Sequence, residues 1–86
     1  MALPFDWDEG NTNHIARHGV TPREAEEVIR GNPIVLEVQF RNREQRILCA
    51  GRTAAGRALA AVYTLRKGRL RVVTAFPAQR SVKEKL

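Results

Sequence analysis

The sequence predicts an α+β fold: two N-terminal helices packed on a four-stranded antiparallel sheet, with a short helix at the C-terminal end. Three observations predict it. Helix-start signals crowd residues 11–24, the hydrophobic period changes to two from Ile34 onward, and turn residues then recur at short intervals. Eighty-six residues suffice for one domain, residues 1–86, whose buried fraction leaves a small stability margin. That length excludes a two-domain enzyme.

The first element is an aromatic arm. Phe5-Asp6-Trp7-Asp8 carries two large rings at alternate positions, the spacing of an extended run with one buried face. Asn11-Thr12-Asn13 then supplies N-cap chemistry for a short helix through His14 and His18, which Gly19 ends. Thr21-Pro22-Arg23-Glu24 is a capping box with proline at the first helical position. It opens a helix to about Arg30, with Ala25, Val28 and Ile29 inward, and Gly31-Asn32-Pro33 stops it.

Strands are expected over residues 34–40, 45–52, 57–66 and 69–76, separated by Arg41-Asn42-Arg43, Thr53-Ala54-Ala55-Gly56 and the tight turn Lys67-Gly68. The last turn fixes a register. If Arg66 faces Arg69, then Thr64 faces Arg71, Val62 faces Val73 and Ala60 faces Ala75 on one side of the sheet. Leu65–Leu70, Tyr63–Val72, Ala61–Thr74 and Leu59–Phe76 then form the apolar side that the helices cover. Residues 77–86 are polar and basic, and helical after the proline.

Charge is unevenly distributed. Residues 1–40 hold seven acids and three arginines, net −4, whereas residues 41–86 hold twelve basic side chains against Glu44 and Glu84, net +10. Twelve of the fifteen cations are arginine, whose planar donor fork fits phosphate oxygens in pairs. The hairpin register gathers Arg66, Arg69 and Arg71 at one end of one face. Such like charges repel in isolation, so the cluster points to an anionic ligand, phosphate above all; a merely solvated hairpin end is the alternative.

Other chemistries find less support. His14 and His18 share a helix face at i and i+4, but no third or fourth ligand accompanies them, so no metal or other cofactor is expected. Cys49 stands alone, without a disulfide partner, and reads as a small buried hydrophobe in a chain suited to a reducing cytoplasm. Tyr63 reads as a core aromatic rather than a catalytic phenol. No apolar run approaches a membrane span, and the opening residues Met1-Ala2-Leu3-Pro4-Phe5-Asp6 meet an acid too early for a secretory leader.

The ordered words Phe5-Asp6-Trp7-Asp8, Asn13 with Arg17-His18-Gly19-Val20, Asn32-Pro33, Gly51, Gly56-Arg57, Val62-Tyr63-Thr64-Leu65-Arg66 and Arg71-Val72-Val73 carry a resemblance over nearly the whole chain. They are similar to the BrnT family of bacterial type II toxins, small ribonucleases of the wider RelE-like group. The resemblance implies a helix-helix-four-strand-helix chain with a ribonuclease surface on its sheet, working on RNA without a metal. It also implies neutralisation by a cognate ribbon-helix-helix, BrnA-like antitoxin, through whose complex alone operator DNA is bound. In that scheme His18 is the acid–base candidate, and Arg66, with Arg71 and Arg80 near it, is the phosphate clamp. Arg46, Arg52, Arg57, Arg69 and Lys83 extend the RNA-binding set.

The chain departs from the family where many relatives read Ser-Ala-Arg. It has Thr74-Ala75-Phe76-Pro77 there, leaving Arg80 to supply the arginine, and Lys83-Glu84-Lys85-Leu86 lacks a common acidic helix ending in tyrosine. Two other functions fit the basic sheet face. One is an RNA- or DNA-binding module without catalysis; the other is an assembly partner covered over Ile47, Cys49, Val62 and Val73.

Overall fold

The computed structural model describes residues 3–86, so Met1 and Ala2, which belong to the stretch weighed as a leader, lie outside the described residues. The elements run β1 (Phe5–Asp6), α1 (Glu9–Ala16), α2 (Pro22–Arg30), β2 (Ile34–Arg41), β3 (Glu44–Arg52), β4 (Ala58–Arg66), β5 (Arg69–Pro77) and α3 (Arg80–Lys83). The architecture is α+β, with a five-stranded mixed sheet of order β1-β5-β4-β3-β2 rather than four antiparallel strands. The added strand comes from the aromatic arm, which pairs parallel to β5 through Phe5–Leu70 and Asp6–Arg71.

Side-chain chemistry explains the local elements. Asp8 caps α1, accepting from the Asn11 N–H while the Asn11 side chain accepts from the Asp8 N–H. The helix therefore begins three residues earlier than Asn11-Thr12-Asn13 suggested, and it ends at Ala16, leaving His18 in the following turn. The Thr21 box forms as expected, with Glu24 also binding Arg57 at 3.0 Å. Turns at Asn42-Arg43 and Lys67-Gly68 have positive φ at both residues, the type I′ geometry that matches strand twist. The first is thus tighter than the three residues expected.

The Thr21 N–H, helped by Arg57, holds the Glu24 carboxyl below its ordinary value of 4.5. A depressed carboxylate stabilises the fold above its unfolded value, and that contribution disappears as pH falls through the folded one. Glu24→Gln is accordingly expected to lower the melting temperature at pH 7, with the difference from the parent shrinking as the pH falls below the ordinary carboxylate range, as thermal melts across pH would show.

α2 lies on β3 and β4, α1 lies against β5, and between them sit Ile15, Val20, Ala25, Val28, Cys49, Leu59, Ala61, Val72 and Ala75. Close approach of α2 to the sheet requires Gly51, where a Cβ would meet Val28 at 3.3 Å. Trp7 seals the rim, its indole N–H donating to Glu26 at 2.8 Å, and Phe5 packs beneath the Arg30 guanidinium.

The hairpin register holds only for its first four pairs, Arg66–Arg69 through Tyr63–Val72. A β-bulge then leaves Val73 unpaired, so Val62 faces Thr74, Ala61 faces Ala75, Ala60 faces Phe76 and Leu59 faces Pro77. The expected pairs Val62–Val73, Ala60–Ala75, Ala61–Thr74 and Leu59–Phe76 do not form. One extra residue inverts the alternation, which turns Ala75 into the core and Thr74 and Phe76 to the other face. Among the described residues no helix is long and apolar enough to cross a membrane.

Candidate functional site

The face opposite α1 and α2 carries Arg46, Leu48, Ala50 and Arg52 from β3, Val62, Thr64 and Arg66 from β4, and Arg69, Arg71, Thr74 and Phe76 from β5. Lateral pairing aligns Arg46, Thr64 and Arg71 across three strands. The arginines do share one face, as the turn chemistry predicted. Their repulsion, however, is relieved inside the molecule. Glu44 accepts from Arg66 at 2.8 Å and lies 3.5 Å from Arg46, while Arg71 meets Asp6 at 3.3 Å and Asp8 at 2.9 Å. Unrelieved crowding is therefore no argument for a ligand, and the site must be judged by its shape and spare donors.

These ion pairs fix the guanidinium groups. The Arg66 guanidinium holds Glu44 below the ordinary carboxylate range, and Arg71, followed by the Asn11 N–H, does so for Asp8. Arg66 uses Nε and Nη2 on Glu44, so its Nη1 is not committed to that carboxylate. Five N–H donors on each arginine exceed what a carboxylate takes up.

A concavity of about 270 Å³ opens here, lined by Arg46, Arg66, Arg71, Val73 and, from α1, Gly10, Asn11 and His14. α1 reaches it because it lies along β5 beyond the short β1 pairing. Asn11, 4% exposed, clamps the helix there by donating through Nδ2 to the carbonyls of Asp6 at 2.9 Å and Val72 at 3.2 Å. With Ile15 locked in the core, His14 turns to the arginines.

His18 does not line this concavity but stands next to it, with its ring centroid 6.3 Å from that of Phe76 and 5.6 Å from that of His14. Sequence reasoning grouped the two histidines and named His18 as the acid–base candidate; in the structure it is His14 that lines the arginine concavity.

The remaining candidates separate. Arg80 is not near Arg66: it lies on α3 beside Arg52 and Lys83, lining a second concavity with Ala78 and Glu84, and pairs with Glu84 at 3.5 Å. Arg52 is level with Ala58 and Arg46 with Thr64, six residues along β4, so the two cationic clusters stand about 20 Å apart. Between them Leu48, Val62 and Phe76 line a trough whose polar border is Arg46, Glu37 and Gln39. Arg57 belongs to neither cluster, because it ties the Gly19 carbonyl at 2.8 Å and Glu24 together on the helix side. Arg69 stays with the hairpin end, beside Asp6, Arg66 and Lys67.

Cys49 and Ile47 face the helices, away from Val62, so the mixed surface suggested for an assembly partner is not continuous. Burial pushes the Cys49 thiol up to about 11. The native protein is expected to resist alkylation at pH 8 and to react fully once unfolded, as mass spectrometry of iodoacetamide-treated samples would report. Tyr63 packs on the core side, where burial also raises its phenol. Among the described residues no three His, Cys, Asp or Glu side chains converge as metal ligands.

A search of curated proteins returned no match. Residues 7–81 match a family described as "Ribonuclease toxin, BrnT, of type II toxin-antitoxin system", which spans β1's flank, both N-terminal helices, the full antiparallel sheet and the start of α3. With nearly the whole chain matched, the protein belongs to the BrnT family of ribonuclease toxins.

Proposed function

We propose that the protein is a metal-independent endoribonuclease toxin that cleaves RNA in the concavity between α1 and the hairpin end of the sheet. The observation that carries this reading is the convergence of His14 with Arg46, Arg66 and Arg71, four side chains from four elements, on one concavity. In such a reaction the RNA 2′-oxygen attacks the adjacent phosphorus as its proton leaves, and the 5′-oxygen departs with a proton supplied to it. His14 is the acid–base group, since a ring nitrogen of imidazole can both take up and hand over a proton. Arg66 and Arg71 face the negative charge that builds on the phosphoryl oxygens, already oriented by Glu44, Asp6 and Asp8.

The rest of the face guides the strand. Arg69 extends the hairpin-end cluster, Phe76 and the neighbouring His18 offer rings to a base, and Arg52, Arg80 and Lys83 hold phosphates at the far end. His18 and Arg80 thus act in binding rather than at the scissile phosphate, and Arg57 acts in folding. A ribbon-helix-helix antitoxin neutralises the toxin and carries the complex to operator DNA; the family match supports an antitoxin partner, and its type and DNA binding rest on the sequence resemblance.

The test is cleavage of a labelled RNA by the purified protein in excess EDTA. Shortened products that disappear in Arg66→Ala and His14→Ala, with circular dichroism unchanged, are expected. Retarded RNA that is never shortened would instead establish a non-cleaving binder, and activity restored only by a divalent ion would overturn metal independence. Growth arrest on induction, relieved by co-expression of the neighbouring antitoxin gene, is the matching result in cells.

A further inference from the structure

The two edges of the sheet are treated differently. β1 pairs with the start of β5 and α1 covers more of that edge, but β2 is the outermost strand on the other side. Edge strands that stay unpaired are usually blunted by shortness, charged side chains, proline or a bulge. Residues 37–41 contain no proline and no bulge, because the one irregularity of β2 lies before Glu37, and their charges stand only at the two ends, Glu37 and Arg41. Phe40 is 75% exposed and Val38 48% on the helix side, an unusual cost for apolar groups on an isolated strand. On the arginine side Glu37 and Arg41 alternate with Gln39, and among the described residues neither charge has an ion-pair partner.

The Asn42-Arg43 turn decides which backbone groups are free. A two-residue turn closes through the Arg41 carbonyl and the Glu44 N–H, so Arg41 and Gln39 direct their backbone groups at β3. Val38 and Phe40 then direct theirs outward. We propose that this edge pairs with the β2 edge of a second copy, antiparallel, about a two-fold axis through Gln39. Val38 then exchanges backbone hydrogen bonds with the partner's Phe40, and their side chains cover each other. Glu37 meets the partner's Arg41, and the same pair repeats across the axis. Registers displaced by two residues set Glu37 or Arg41 against Gln39 instead. The result is one ten-stranded sheet with both cationic faces on the same side.

The experiment is sedimentation of the purified toxin over a concentration series, which requires no RNA and so fails or succeeds independently of the nuclease reading. A monomer–dimer equilibrium is expected. Glu37→Arg, which sets arginine against arginine twice, should weaken the dimer about tenfold, and adding Arg41→Glu should restore it to within about twofold. Gln39→Cys should form a disulfide-linked dimer on oxidation, because directly opposed residues in a non-hydrogen-bonded pair have Cα atoms about 4.5 Å apart, within the span of a disulfide. Cys49, buried, does not compete. A toxin that is monomeric at every concentration overturns the proposal, including the case in which only an antitoxin segment occupies β2. So does a dimer indifferent to the charge reversal, or a Gln39→Cys variant that folds, by its melting curve, yet does not cross-link.

Discussion

Arg66→Ala is expected to slow RNA cleavage by about 10²–10³-fold under single-turnover conditions with saturating enzyme, the usual loss when one donor to a developing oxyanion is removed. Stability should change little, since the side chain is exposed and Glu44 keeps Arg46 as a neighbour. Arg66→Lys should recover only part of the rate: an ammonium lacks the planar fork that lets Nε and Nη2 hold Glu44 while Nη1 points away from it in a fixed direction. Arg80→Ala supplies the contrast. Standing about 20 Å from the concavity, it should leave the single-turnover rate on a short RNA within about threefold, while weakening longer RNA and lowering the salt slope of binding by about one. Equal losses for Arg66→Ala and Arg80→Ala would mean that the hairpin-end concavity is not where the bond breaks.

The second large effect is expected at Asn11. Its side chain accepts the Asp8 N–H, donates to two backbone carbonyls and is almost fully buried. Asn11→Ala leaves those partners unsatisfied and removes half of the capping box, a loss of about 2–3 kcal/mol. For a domain of this size that corresponds to a melting point lower by about 10 °C or more. Cleavage should fall further than the folded fraction does, because His14 depends on this clamp for its place. Asn11→Asp gives no rescue: a carboxylate still accepts from Asp8 but has no N–H for the Val72 carbonyl. Melting curves and cleavage rates of both variants, taken below the lower melting point, check the pair of effects.

Local chemistry was legible wherever a few adjacent residues decide the outcome. Thr21-Pro22-Arg23-Glu24 and Lys67-Gly68 carry their own geometry, so α2 and the β4–β5 hairpin appeared close to the expected boundaries. At α1 two cap sequences competed, and Asp8 prevailed because Asn11 serves better as the third residue of the box and as a buried clamp. Features joined across long stretches of chain were not legible. β1 finds β5 sixty-five residues away, and Arg57 finds Glu24 thirty-three residues away. The candidate site divides in the same manner. Arg66, Arg69 and Arg71 share a face because the turn demands it, whereas Glu44 as the counter-ion of Arg66, Asp6 and Asp8 as those of Arg71, and His14 on the same concavity follow from how strands and helix are laid side by side.

The unpaired Val73 has a consequence for how this surface can change in evolution. Because Val73 is taken up as a bulge, Thr74 and Phe76 keep the arginine face and Ala75 keeps the core; forcing Val73 to pair with Val62 would carry Phe76 inward and Ala75 outward. Deleting Val73 would only straighten the strand, leaving Thr74, Ala75 and Phe76 opposite the partners they already have. The bulge thus absorbs a change of one residue in strand length without moving the side chains beyond it.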